Sequence, residues 1–453
     1  MTKGRGLLAK LHGHFGGEER VSRVGKESLK IVSGQVGALI GSIAGIRIIT
    51  EVAPRAVYGE AALVVGFVTL LCGLTTTPFS HYAGRAYADV SRTGQHGSFR
   101  SFALDRLLGI CVLVSVLIVM GGCLYDLLKG GFRPVLWILA GVVLIGTSFT
   151  AFENTILTVS RRQGARSIWQ SAECLGWPLC VAGAMLLFGA SSSSYLAGRA
   201  LFPIMGLLVF WTFTSATFPY SGPRPSGPQP KLWSREAWRY ALPLVPMAFV
   251  AWIVMLSDRY LLAHYRSLSE VGLYAAIVSL SRQPFVMVGE FVSRLFQPVI
   301  YAASARGNRQ RQRSLLRYYA LTIVLLCSVG FGLFVVTSRW IIDLLLAAEY
   351  REGASNLFPW VAASGAFLTI AGVFECEFLA DKRTWRLTVS YLIAAVANLV
   401  LNLLLIPRMG ARGAAISMCV SFAVYLTSCG FTAQMKPPAK FDLKEEEQPW
   451  KID

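Results

Sequence analysis

Apolar runs of about twenty residues recur along this chain, and most of its cations are gathered in the short stretches between them. That alternation constrains the fold more than any motif does. A run of this length crosses the roughly 30 Å hydrocarbon core of a bilayer as an α-helix, and only helices or closed barrels satisfy their backbone groups there. Twelve runs qualify: 29–48, 61–80, 107–125, 134–157, 168–190, 195–218, 240–260, 271–299, 318–338, 355–379, 387–406 and 413–433. Only 15% of the 453 residues are charged and 54% are hydrophobic, whereas soluble chains are about a quarter charged. The expectation is an all-α polytopic membrane protein.

The net charge of +18 is spread between the runs and does not form one patch, which argues against a nucleic-acid partner and for contact with anionic membrane lipids. With the N-terminus placed inside, 30 Lys and Arg fall in the inner segments and 8 in the outer ones. This imbalance is the positive-inside pattern. It predicts twelve spans with both termini cytoplasmic.

A Pro- and Gly-rich segment, Pro219 to Lys231, divides the spans six and six. The expected organisation is a basic tail (1–28), a six-helix bundle (29–218), a cytoplasmic linker with an interfacial segment (219–239), a second six-helix bundle (240–433) and a C-terminal tail (434–453). Lys231 to Arg239 carries Trp233, Trp238 and three cations, which suits a helix lying on the inner interface. The halves resemble each other at matching places. RIITEVAPRAVYG (47–59) and RYLLAHYRSLSEVG (259–272) each join a first span to a second. An even number of spans per half makes the halves parallel, related by an axis along the membrane normal. In the first span Ser33, Gly37, Gly41 and Gly45 share one helical face, which predicts close packing of a neighbouring helix.

No hydrolase, P-loop, zinc or dinucleotide signature occurs in a credible context. The nine cysteines lie in apolar runs without a CxxC pair, and the five histidines lie in the tail or loops. The chain is therefore expected to be neither an enzyme nor a holder of a metal or cofactor. The informative residues are the charges inside spans, which cost at least about 2.5–3.5 kcal/mol each near the midplane unless the surroundings are polar. Arg282 lies deepest, with Pro284 two residues later. Together with Glu290, Arg294, Arg47, Arg259 and Asp258 it forms the candidate substrate-binding set. Glu290 and Arg294 are spaced i,i+4 and can pair. Arg47, Arg199 and Arg259 stand near outer span ends, where snorkelling also accounts for them. Glu173, Glu153 and Glu375 are candidates for coupling to a proton or sodium gradient, against the plainer reading that Glu153, Glu173, Glu375 and Glu377, all near the inner boundary, pair with Arg161, Arg162, Lys382 or Arg383. Asn398 and Asn402 share a face and are expected to bond helix to helix.

Twelve spans in two halves, the DRYLL sequence at 258–262 and EVGLY at 270–274 resemble the polysaccharide transport family. That family, which includes O-antigen flippases, belongs to the multidrug/oligosaccharidyl-lipid/polysaccharide exporter superfamily. The resemblance implies two pseudo-symmetric six-helix bundles around a V-shaped central cavity in a bacterial cytoplasmic (inner) membrane. It also implies alternating access, a lipid-linked oligosaccharide such as an undecaprenyl-diphosphate-linked one as substrate, and polysaccharide polymerase or export machinery as partners. A cationic cavity suits that substrate, with Arg282 the residue best placed to supply it. Glu173 and Glu290 depart from a purely cationic cavity and keep open the alternative of a drug/cation antiporter of the same superfamily. A scaffold without transport would need no polar midplane.

Overall fold

The computed structural model describes residues 18–92, 95–160, 162–215, 229–381 and 383–434. The expected linker residues 219–228 and both tails, apart from residues 18–28 and 434, lie outside them. The described secondary structure is helical, with no strand among the described residues. The first half comprises α1 (Glu18–Val52), α2 (Arg55–Leu74), α3 (Thr76–Arg92), α4 (His96–Leu128), α5 (Pro134–Val159), α6 (Gln163–Phe188) and α7 (Ser192–Ser215). Helix α8 (Gln229–Ala241) and a 3₁₀ turn (Leu242–Leu244) connect it to the second half. That half comprises α9 (Val245–Tyr265), α10 (Leu268–Ile277), a π-helical turn (Val278–Arg282), α11 (Gln283–Ala305), α12 (Arg309–Val336), α13 (Ser338–Leu345), α14 (Ala348–Arg351), α15 (Ala354–Ala380), α16 (Thr384–Met409) and α17 (Ala411–Gln434).

Eleven helical segments among the described residues are long and apolar enough to cross a membrane. The expected sixth span corresponds to α7, 24 residues long, whose end adjoins undescribed residues. One boundary differs from expectation. The second span stops at Leu74, and Thr76–Arg92 forms its own helix. Its sequence is mostly polar with a narrow apolar face, so a search for apolar runs joins its first residues to the span and reads the rest as loop.

Local chemistry fixes several ends. Ser267 Oγ accepts the Glu270 N–H at 3.2 Å to cap α10, and Asn308 Oδ1 accepts the Arg311 N–H at 3.0 Å to cap α12. Gly410 ends α16 at φ 57°, where a side chain would be strained and would also strike the Glu270 carboxylate. That carboxylate accepts the Ala411 N–H at 2.9 Å, at the start of α17. The first half repeats the device one turn displaced: Glu60 on α2 accepts from Ser192 at the start of α7.

Helices α1–α7 pack chiefly among themselves, as do α9–α17, and the two sets meet where α1 and α2 face α9, α10 and α11. The small-residue face of α1 packs as expected, with Gly37, Gly41 and Gly45 against Ser171, Cys174 and Pro178 of α6. Exposed Leu113 and Leu117 on α4, and Leu321 and Leu325 on α12, face outward. Such surfaces need lipid to cover them.

Candidate functional site at the junction of the halves

Gly59 on α2 and Gly272 on α10, which end the two similar segments, pack against each other's helix. A Cβ on Gly59 would overlap the Leu268 carbonyl oxygen, and one on Gly272 would overlap the Arg55 carbonyl oxygen. Only glycine allows this approach. Further along α2, Tyr260 donates to the Leu63 carbonyl at 2.7 Å and Trp252 Nε1 to the Gly66 carbonyl at 2.9 Å. Around the α1–α2 turn, segment 346–352 forms a strap. Tyr350 donates to the Ala53 carbonyl at 2.7 Å, the Arg55 N–H to Glu349 at 3.1 Å, and Arg55 Nη2 to the Glu352 carbonyl at 3.3 Å. These contacts close the junction at the end formed by the α1–α2 and α9–α10 turns.

Behind that seal the halves present charge to each other. Arg199 on α7 stacks 4.5 Å from the Trp177 ring centroid and lies within electrostatic reach of Glu173, both on α6. Its position two turns inside α7 and its aromatic partner show that it turns inward, where snorkelling had been the plainer expectation. Arg259 on α9 acts across the junction on Tyr58 and Tyr195, and Arg199 acts on the same two tyrosines. The Arg259 Nε is enclosed without a hydrogen-bond partner. Arg166 on α6, assigned from sequence to a loop, is on the first turn of a helix and within reach of Arg294 and Glu290 on α11. Arg294 and Glu290 pair at 3.5 Å. The charges fall into two groups: Arg199 and Arg259 act on the same two tyrosines with Glu173 beside Arg199, and Arg166 and Arg294 lie together with Glu290.

Arg282 and Asp258 adjoin Arg259, which acts electrostatically on both. Asp258 is buried within the second bundle, where it accepts from Tyr274 and, at 2.8 Å, from the Arg259 N–H. Arg282 ends the π-helical turn, a feature frequent at functional positions. It is half-buried, and its Nη1 lies 3.7 Å from the sulfurs of both Met255 and Met418. Thioethers are weak acceptors, so Asp258, within electrostatic reach, is the nearest full countercharge. The Gly365 position packs directly on the Arg282 backbone. Beside this cluster Asn402 donates to Asn398 at 2.9 Å, and Ser257 donates to Asn398 at 3.4 Å, tying α16 to α9.

The remaining candidates have local partners. Arg47 pairs with Glu51 at 2.8 Å. Glu153 is held in a buried ion pair with Arg100 of α4, a partner the sequence reading did not supply. Glu375 accepts from Tyr425 at 2.7 Å. All nine cysteines are free thiols, and no group of three His, Cys, Asp or Glu suited to a metal occurs among the described residues.

Two helical bundles joined by a connecting helix, with charged residues where they meet, define a polytopic α-helical membrane protein of the exporter-superfamily fold. A sequence profile described as "Polysaccharide biosynthesis protein" matches residues 25–304, and the chain belongs to that family. The fold is shared with the lipid II flippase MurJ in an inward closed conformation, at 13% identity and TM-score 0.67, covering 90% of this chain and 88% of that one. It is also shared with an inward-facing multidrug resistance MATE family transporter, at 11% identity and TM-score 0.62, covering 90% and 97%. A transporter of the same superfamily from Pyrococcus furiosus Vc1, described as having a binding pocket of reversed polarity, gives 13% identity and TM-score 0.58 over 90% and 93%. No curated protein matches at the sequence level.

Proposed function

We propose that the protein is a flippase that moves a lipid-linked oligosaccharide, with an anionic diphosphate linkage, from the inner to the outer leaflet of a bacterial cytoplasmic membrane by alternating access. The observation that carries this reading is the cation excess where the halves meet, with Arg199 and Arg259 around Tyr58 and Tyr195 against the one carboxylate Glu173, and a second group of Arg166 and Arg294 against Glu290. Phosphate oxygens take charge-assisted hydrogen bonds from guanidiniums. Membership of a polysaccharide biosynthesis family supports the same substrate class. In this reading the bundles 29–218 and 240–433 are the rocking bodies, and both termini are cytoplasmic.

The test is reconstitution into vesicles with a fluorescent undecaprenyl-diphosphate oligosaccharide, scored by protection from a membrane-impermeant quencher. Translocation that is lost in the Arg199→Gln/Arg259→Gln double variant supports the flippase. Export of organic cations by the same vesicles, with the labelled lipid left in place, would favour the antiporter, whose acidic site would have to come from Asp258 or Glu173. Coupling to a proton or sodium gradient is a further part of the proposal, motivated by carboxylates inside the bundles. Translocation that continues at full rate after both gradients are collapsed removes it.

A further inference from the structure

A mainly apolar recess lies away from the junction, beneath the connecting helix α8. It has a volume of about 420 Å³ and is walled by Phe79 of α3, Phe102, Leu113 and Val114 of α4, and Leu242 and Val245 at the start of the second half. That size falls in the roughly 300–1,000 Å³ range of ligand sites. Its polar lining residues are few: Thr75, Asp105, Arg106 and Ser234, with Arg106 the one cation among them. Gly109 lines the recess, and a Cβ there would meet nothing within 4 Å.

Helix α8 is built to lie at an interface. Trp233 turns inward and packs on Phe99 and Phe102 with centroid distances of 5.1 and 5.3 Å. Trp238 and Leu242 are 72% and 64% exposed beside the recess. Lys231 and Arg235 are exposed on the same helix. The cation count puts this side of the molecule at the inner surface, where anionic lipid is attracted by clustered Lys and Arg. Helix α8 also holds the halves together. It leans on α3 through Tyr82, which donates to Glu236 at 3.2 Å, and runs through the 3₁₀ turn into α9.

We propose that this recess holds an acyl chain of an inner-leaflet anionic phospholipid, with its phosphate at Arg106. The apolar walls take the chain, and Arg106 with the neighbouring basic face of α8 sets the preference for a negative headgroup. The site is separate from the junction and goes beyond the transport reading. Its occupant would brace the strut that links the two bundles, so lipid composition would tune how freely they move.

The experiment uses the full-length protein in nanodiscs containing phosphatidylglycerol or phosphatidylcholine that carries a photoreactive group on the acyl chain, followed by peptide mapping. The expected result is labelling concentrated on residues 106–114 of α4 and 234–245 of α8 and α9, with Gly109→Phe removing most of it while labelling of α12 stays constant. Arg106→Gln should erase about a fivefold preference for phosphatidylglycerol, the factor one surface cation supplies. Label spread evenly over the lipid-facing helices of the native protein would overturn the proposal without recourse to any variant. So would undiminished α4 labelling in a folded Gly109→Phe protein. Equal labelling by the two lipids would overturn the headgroup assignment.

Discussion

Gly59 and Gly272 sit 213 positions apart in sequence and pack reciprocally, each against the backbone that precedes the other. The two segments that join a first span to a second in each half are therefore the surfaces by which the halves touch. Parallel repeats related by an axis through the junction bring equivalent positions together there.

A methyl group at either glycine has no space, because its obstacle is a carbonyl oxygen and not a flexible side-chain tip. Gly59→Ala or Gly272→Ala should push the sealed ends apart and cost about 1–3 kcal/mol, the usual range for overpacking. The check is a cysteine at position 279, which neighbours Tyr58 behind the seal, in a cysteine-free background. Labelling by an impermeant maleimide from outside should rise in the alanine variants. Unchanged labelling would show that the seal does not depend on this contact.

The strap gives a second, gentler way to open the same end. Tyr350→Phe removes the bond to the Ala53 carbonyl and leaves the ring in place. A single neutral hydrogen bond contributes about 0.5–1.5 kcal/mol, so the shift toward outside accessibility should be several-fold smaller than for the glycine variants. The same position-279 assay ranks the two.

The sequence made the architecture legible because membrane spans advertise themselves by length and by the absence of charge. All twelve expected spans have a helical counterpart, and the basic Trp-containing segment after the linker is helix α8. What it hid was direction. Arg199 and Arg259 look alike as arginines near outer span ends, yet each turns toward the junction, and only the fold supplies Trp177 and Tyr58 as their neighbours. Arg166 was hidden because α6 begins at Gln163, earlier than the apolar run begins. Arg100 was hidden because α4 carries a polar first turn below its apolar body, so the partner of Glu153 read as a loop residue. Arg282 stands out in the sequence as a charge inside a span, but only the fold supplies Met255, Met418 and Asp258 as its neighbours.

If the junction charges bind a diphosphate, their signs should matter more than their identities. Arg199→Gln or Arg166→Gln should weaken binding by about 10- to 100-fold, the equivalent of one charged hydrogen bond of roughly 1.5–3 kcal/mol. Glu173→Gln should leave binding the same or tighten it. Competition with free inorganic diphosphate in detergent measures all three. Tighter binding in the arginine variants would point to a cationic substrate instead.

Arg282 and Asp258 offer a test of whether the second bundle tolerates one charge without the other. Arg282→Met keeps much of the side-chain volume beside Met255 and Met418, and leaves the buried Asp258 with Tyr274 and with Arg259, whose charge acts on it more strongly than that of Arg282. Removing one partner of a close buried ion pair costs about 3–5 kcal/mol, and the loss here should be smaller because Arg259 still offsets Asp258. Arg282→Met should therefore lower thermal stability in detergent, and adding Asp258→Asn should restore most of the loss, because the asparagine still accepts from Tyr274 without a charge to neutralise. The double-mutant cycle isolates the coupling between the two positions. Additive losses would show that Arg282 is held by its packing on the two methionines and not by the carboxylate. In that case its charge would be free to act elsewhere in the transport cycle.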